Sequence, residues 1–178
     1  MIMDILEILD RCAALEREAG VIYAELAERC RDDDALCALW YTMAAAEREH
    51  ARKLSTWRTL IAAEPAEHRP TVSGFADALR ALEAVMRDAH ARAKDCATTD
   101  GDFAIALELE TSELDALYAT LLQGSPIARY PDIAETLRRE TRGEHHGALA
   151  RMVRERSRDE QNLLRASILA AHDAEAVA

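Results

Sequence analysis

The stretch Ala44-Ala-Ala-Glu47-Arg-Glu-His50-Ala-Arg-Lys-Leu54 decides how this chain folds. It lies in a run from Asp32 to Glu64 without Gly or Pro, so the sequence predicts one continuous helix. Apolar residues recur along this helix in steps of three and four. The pattern continues through the quoted stretch only if Glu47 and His50 take core-facing positions. The apolar members of the pattern are Leu36, Trp40, Met43, Leu54, Trp57 and Ile61.

Glu47 and His50 therefore stand where a core helix normally carries apolar residues. An ionised carboxylate is very costly to bury without a partner, so some group must neutralise Glu47. Glu and His three residues apart project from one helical face, with about 5–6 Å between their Cβ atoms. One metal ion can accept both side chains at that spacing. Acidic helices produce Glu-x-x-His by chance, so the core-facing position is what favours a metal site.

The composition predicts a single all-α domain covering residues 1–178. The chain is 49% hydrophobic and 31% charged, with six Gly and four Pro, which is typical of long helices. Its net charge of −11 argues against nucleic acid and an anionic membrane surface as partners. No segment approaches about 18 uncharged apolar residues, and the N-terminus lacks a basic region. We therefore expect a cytoplasmic protein with no membrane contact.

Cysteine spacing excludes one class of metal site. The four cysteines form no Cys-x-x-Cys pair, so neither a zinc knuckle nor a rubredoxin-type iron site is predicted. We expect all four to be reduced and structural: Cys12, Cys30, Cys37 and Cys96.

Apolar periodicity and helix breakers divide the chain into two helical hairpins. Hairpin 1 spans about 3–63, a helical crossover 64–98, hairpin 2 about 99–158, and a C-terminal tail 159–178. The tail is expected to continue as a helix through Ile168 and Leu169. An Asp of the run 32–34 should cap the second helix, and Thr71 or Ser73 should cap the crossover helix.

Carboxylates recur on the predicted core faces of both hairpins. Glu16 lies on that face of the first helix, and Glu110 and Glu113 on that of the third, while Glu18 and Glu25 are expected in solvent. Glu16 precedes His50 by 34 residues and Glu110 precedes His145 by 35, which indicates an internal repeat. Such a repeat would gather four carboxylates and two imidazoles at similar depth. Oxygen-rich sets of this kind suit iron or manganese, whereas His90 is expected to be a surface or satisfied histidine.

These motifs resemble the ferritin-like di-iron carboxylate proteins and, within them, rubrerythrin. That family places a Glu on each of two helices and Glu-x-x-His on each of the other two. The matching pieces are Glu16-x-x-Ala19 with Tyr23, the Glu47 to Leu54 stretch, and Glu110-x-x-Glu113 with Tyr118. The extra carboxylate at Glu113 is typical of rubrerythrins. The likeness covers roughly residues 5–155.

The resemblance implies a ferritin-like four-helix bundle, made of two helical hairpins joined by a helical crossover, that holds two Fe ions, with Mn or Zn as alternatives. It implies a non-haem redox protein that reduces peroxide or dioxygen. A separate electron-donor protein is expected because the chain lacks a rubredoxin domain, and a homodimer is expected. By resemblance, Glu47 and Glu113 bridge the metals, Tyr23 and Tyr118 orient carboxylates through their hydroxyls, and the terminal ligands are Glu16, Glu110, His50 and His145.

The fourth helix departs from the family pattern. Arg142 lies three residues before His145, and its guanidinium group cannot coordinate a metal. Counting helical positions from Leu137, we expect His145 to remain a ligand, Glu144 (or less readily Glu140) to supply the lost carboxylate, and His146 to point outward. Two other functions stay open: a ferroxidase or oxygenase of the same superfamily, and a non-catalytic metal-binding or structural bundle.

Overall fold

A computed structural model of the protein describes residues 2–69, 71–112 and 144–175. This part consists of α-helices and one two-stranded antiparallel ribbon, which confirms the predicted all-α class. The helices are α1 (Ile5–Arg29), α2 (Asp34–Ala62), α3 (Phe75–Asp95), α4 (Thr99–Ser112), α5 (Glu144–Arg156) and α6 (Glu160–Glu175). A short 3-10 helix covers Ala66–His68, and the strands are β1 (Ile2–Asp4) and β2 (Thr71–Ser73).

Helices α1 and α2 form an antiparallel hairpin and pack along their full length. An aspartate caps the N-terminus of each helix. The Asp4 carboxylate accepts from Leu6 N at 3.0 Å, and the Asp33 carboxylate accepts from Leu36 N at 3.2 Å. A carboxylate at this position satisfies a free amide and favours the positive helix end. The predicted apolar positions of α2 are all buried. Trp40 is fully buried, and burial of its side chain stabilises the folded state by about 1.5–3 kcal/mol.

The ribbon brings the start of α3 beside the start of α1. Strand β1 pairs antiparallel with β2, with Met3 opposite Val72. The first helix, predicted from about residue 3, begins at Ile5 because residues 2–4 form β1. The cap expected at Thr71 or Ser73 was wrong. Gly74 is the residue before α3, with a φ of 86° that other residues rarely adopt. Helix α3 then packs along α1 as the predicted crossover helix.

An ion pair ties three helices together at the far end of α1. Arg29 Nη2 lies 2.7 Å from Asp102 Oδ1, and Arg29 Nη1 donates to the carbonyl of Ala93. The Asp102 side chain is only 6% exposed. This anchor fixes the start of α4 against α1 and α3. Two turns further along α4, Glu110 faces α1.

The expected helical tail is present as α6, separated from α5 by a short break. Ser157 Oγ donates to Asp100 Oδ1 at 2.5 Å, and Asp159 Oδ1 accepts from Asn162 N at 3.0 Å. The buried Asn162 side chain donates to the carbonyl of Asp100 at 2.8 Å. These bonds hold α6 against α4 and α5. Among the helices so described, none combines the length and apolarity needed to cross a membrane.

Candidate metal centre

Three side chains from the first hairpin converge between α1 and α2. Glu16, Glu47 and His50 each offer one ligand atom, and these atoms lie within 4.8 Å of one another. His50 Nδ1 is 3.1 Å from Glu47 Oε2 and 3.9 Å from Glu16 Oε2. Glu16 is 1% exposed and Glu47 is 5% exposed. We call these three residues the first-hairpin cluster.

A glycine on α1 allows the two helices to approach where Glu47 projects. A Cβ atom at Gly20 would lie 3.3 Å from the carbonyl oxygen of Ala44 and 3.5 Å from Glu47 Cβ. The first of these distances is tighter than an ordinary van der Waals contact. Gly20 lies one turn after Glu16, so the close approach brings the two carboxylate-bearing segments together.

The donor set of this cluster is two carboxylates and one imidazole, without a thiolate. Cys12 lies one turn before Glu16 and is fully buried. Burial first, and the negative charge of Glu16 second, raise the pKa of the Cys12 thiol well above its ordinary value. The thiol therefore stays protonated and is a poor metal ligand. Oxygen and imidazole donors without sulfur favour iron or manganese over ions that prefer thiolates.

A second cluster joins α1, α4 and α5. The Tyr23 hydroxyl donates to Glu110 Oε1 at 2.5 Å, and His146 Nε2 lies 2.8 Å from Glu110 Oε2. The Glu110 and His146 side chains are 7% and 8% exposed. An ionised carboxylate only accepts hydrogen bonds, so His146 is the donor of this pair when Glu110 is ionised. We call these three residues the second-hairpin cluster.

Aromatic packing fixes the hydroxyl of Tyr23. Its ring stacks on Trp40 with centroids 6.1 Å apart and planes 4° apart. Trp40 in turn packs against Phe103 at 5.8 Å. Tyr23 is thus both a core aromatic and a hydrogen-bond donor to a predicted ligand. Its catalytic role stays a prediction.

The inward position of His146 corrects the expectation that this side chain points outward. The error came from taking the helical phase from Leu137, which lies outside the described residues. Within α5, His146, Leu149, Ala150 and Val153 are all buried. Their spacing of three, four and seven residues is the signature of one buried helical face, and this signal was available in the sequence.

The other predicted site residues cannot be placed. Glu113, Tyr118, Glu140 and Arg142 lie outside the described residues. Glu144 and His145 open α5, but their side chains are outside the described part. Their proposed roles stay predictions.

His90 belongs to neither cluster. Its Nδ1 lies 2.8 Å from Glu18 Oε1 and its Nε2 lies 3.4 Å from Glu25 Oε1. It is thus the satisfied histidine that the sequence predicts. The expectation that Glu18 and Glu25 are merely solvated was wrong, because both contact this ring. The free thiols of Cys12, Cys30, Cys37 and Cys96 make no disulfide.

Comparison with protein-family models, with curated proteins and with solved structures finds no match to this chain. The motifs and the geometry of the two clusters are therefore the grounds for assigning a function.

Proposed function

We propose that this protein is a non-haem di-metal redox protein, built on a ferritin-like bundle that resembles rubrerythrin, and that it reduces peroxide or dioxygen. One observation carries the proposal: Glu16, Glu47 and His50 bring three ligand atoms within 4.8 Å of one another. They do so in a nearly water-free position between two helices. The second-hairpin cluster supplies a further carboxylate and imidazole from α4 and α5.

The residues present fit iron. Two carboxylates and one imidazole leave open positions on a non-haem iron ion, where an oxidant can bind. Glu16, Glu47 and His50 would hold one ion, and Glu110 and His146, with Glu113 by resemblance, would hold the second. Bound iron supplies the one-electron redox chemistry that no side chain of the centre provides.

The chain itself controls protons and water around the centre. Carboxylates and imidazoles bind a metal in their deprotonated form, so Glu110 would hold an ion as a carboxylate and His146 as a neutral imidazole. The Tyr23 hydroxyl keeps Glu110 in one orientation, because its donated hydrogen bond fixes Oε1. Buried Trp40 and Met43 exclude water from the α2 side.

One observation favours a non-catalytic metal-binding bundle as a second candidate. If His146 is the histidine of the fourth helix, Gly143 stands where Glu-x-x-His requires a carboxylate. The second metal would then have fewer ligands than in the family. A ferroxidase or oxygenase of the same superfamily shares the ligand set and differs in its oxidant and product.

Stopped-flow oxidation of the iron-loaded, reduced protein tests the proposal. We expect hydrogen peroxide to oxidise it faster than dioxygen at equal concentration. Glu47→Ala/His50→Ala should abolish the iron-dependent absorbance change. Glu49→Ala is the matched control, because Glu49 lies on the same helix but pairs with Arg52 at the surface. Clearly faster oxidation by dioxygen would favour the ferroxidase or oxygenase, and no oxidation by either would favour the non-catalytic bundle.

A further inference from the structure

A groove runs along the outer face of α1, between α2 and α3. Its α1 lining lies on one helical face over about 18 Å and consists of residues 17, 20, 21, 24, 25, 28 and 29. Arg48 of α2 and Lys94 of α3 form its two sides. The groove encloses about 520 Å³, within the range of about 300–1,000 Å³ of small-molecule sites.

Three of the cations that line this groove have no carboxylate partner within the described part of the chain. Among the residues that the structure describes, Arg17, Arg48 and Lys94 form no ion pair. The remaining charged groups of the groove are engaged elsewhere: Arg29 with Asp102, Glu25 with His90, and Glu28 with the Tyr41 hydroxyl.

The groove is locally positive on an acidic protein. Its lining has four cations and two carboxylates, a formal excess of two positive charges, whereas the whole chain carries −11. An acidic chain offers many carboxylates that could pair with surface arginines, and Arg11, Arg52, Arg58, Arg80 and Arg92 all have one. Unpaired cations that share one concave surface repel one another, and an anion between them removes that repulsion.

The floor of the groove is apolar. Gly20, Val21 and Ala24 lie between the cationic sides, and Val21 is 48% exposed although it is a large aliphatic residue. Arg17 is one turn before Gly20, and Arg48 Cγ lies 3.6 Å from the position of a Cβ at Gly20. Two guanidinium-bearing side chains therefore border one apolar strip. Guanidinium groups bind carboxylate and phosphate oxygens in pairs, while the strip favours an aliphatic chain.

We propose that this groove binds a small organic anion, a carboxylate or phosphate monoester with a short aliphatic chain. Its charged head contacts Arg17 and Arg48, and its chain covers Val21 and Ala24. The site does not depend on the proposed metal chemistry, because none of its lining residues is a proposed ligand.

Isothermal titration of the whole protein with four probes tests this proposal. The probes are hexanoate, butyl phosphate, inorganic phosphate and the neutral control hexanol. We expect one of the two organic anions to saturate the protein at one molecule per chain, more tightly than inorganic phosphate, while hexanol does not bind. The tighter of hexanoate and butyl phosphate identifies the head group.

Two double variants distinguish binding in the groove from an effect of the protein's net charge. Arg17→Gln/Arg48→Gln should weaken binding by at least about tenfold, since charge-assisted hydrogen bonds are strong. Arg58→Gln/Arg80→Gln removes the same charge from residues outside the groove that pair with Asp10 and Asp77, and should change affinity by no more than about twofold. Val21→Glu should abolish binding and Val21→Lys should retain it, which keeps the test decisive if the arginine variant folds poorly.

Three outcomes would overturn the proposal. The first is no saturable binding of either organic anion. The second is equal weakening in the two double-arginine variants, which would indicate a general electrostatic effect. The third is binding that survives Arg17→Gln/Arg48→Gln but is lost in Glu47→Gln, which would place the anion at a metal in the first-hairpin cluster.

Discussion

The two clusters that we propose as halves of one metal centre differ in the contacts of their carboxylates. In the first-hairpin cluster, Glu16 and Glu47 converge on one imidazole nitrogen of His50. In the second-hairpin cluster, one carboxylate, that of Glu110, receives one hydrogen bond at each oxygen. The first arrangement brings two buried carboxylates to one imidazole, whereas the second brings two donors to one carboxylate.

This difference indicates which half offers an ion the more favourable set of ligands. Two nearby carboxylates in a medium of low dielectric repel one another, and a divalent ion removes the repulsion. A carboxylate that accepts from a hydroxyl and an imidazole is stable without an ion. The first half offers three ligand atoms and the second offers the carboxylate and imidazole of Glu110 and His146, so we expect the first half to bind metal more tightly than the second.

Ligand removal should produce the largest effect. Glu47→Ala/His50→Ala should weaken the tight ferrous site by more than about 100-fold, because losing ligands exceeds the effect of losing the groups that orient them. His146→Ala should weaken only the second equivalent. Anaerobic ferrous titration followed by competition with a chelator measures both. Equal effects of the two variants on both equivalents would contradict the difference between the halves.

The sequence predicted the first half of the centre much better than the second. Glu16, Glu47 and His50 lie on long helices whose apolar pattern is unbroken on both sides, so their inward direction follows from the spacing of Leu, Trp and Met residues. Their three ligand atoms are the ones that the structure brings together.

The error at His146 has a different origin. Its direction was counted from Leu137, across residues whose helical phase the sequence does not fix. An error of one residue in that count turns the predicted direction by about 100°. Counting backward from Val153 would have placed His146 inside. The ribbon was missed because three-residue strands carry almost no periodicity. The contact between Tyr23 and Glu110 joins residues 87 positions apart, which no local pattern encodes.

Breaking the ion pair between α1 and α4 should have the next largest effect. Arg29→Ala leaves the Asp102 carboxylate buried without its cation, which costs about 3–5 kcal/mol of unfolding free energy. Because α4 carries Glu110, this variant should also weaken the second iron equivalent more than the first. Arg80→Ala, which breaks an exposed pair with Asp77, should cost no more than about 1 kcal/mol. Urea unfolding compares the two variants. Equal losses of unfolding free energy would contradict the larger contribution expected of the buried ion pair.

Neutralising one carboxylate in each half should change stability by different amounts. In metal-free protein, Glu47→Gln should change the unfolding free energy little, because the removed repulsion from Glu16 offsets the weakened contact with His50. Glu110→Gln should lower it by about 1.5–3 kcal/mol, because hydrogen bonds to a charged acceptor are lost. Chelator-treated samples in urea provide the measurement. Equal destabilisation by the two changes would contradict the difference between the halves.

Removing the tyrosine hydroxyl should have the smallest effect. Tyr23→Phe keeps the stacking on Trp40 and should cost about 1.5 kcal/mol, with a change in the second iron equivalent of no more than about tenfold. Thermal unfolding and ferrous titration measure the two quantities. Tyr41→Phe is the matched control, since the Tyr41 hydroxyl bonds the exposed Glu28. A larger effect on the first equivalent than on the second would contradict the assignment of Tyr23 to the second half.

The metal content of protein purified aerobically without chelator tests the central claim most directly. Elemental analysis of the wild type should give about two transition-metal ions per chain, as the resemblance to di-iron carboxylate proteins implies. The near-ultraviolet absorption of ferric iron should accompany them. Glu47→Ala/His50→Ala, purified in parallel, should lose the tightly bound ion. Equal metal content in the two proteins, or none in either, would contradict the account.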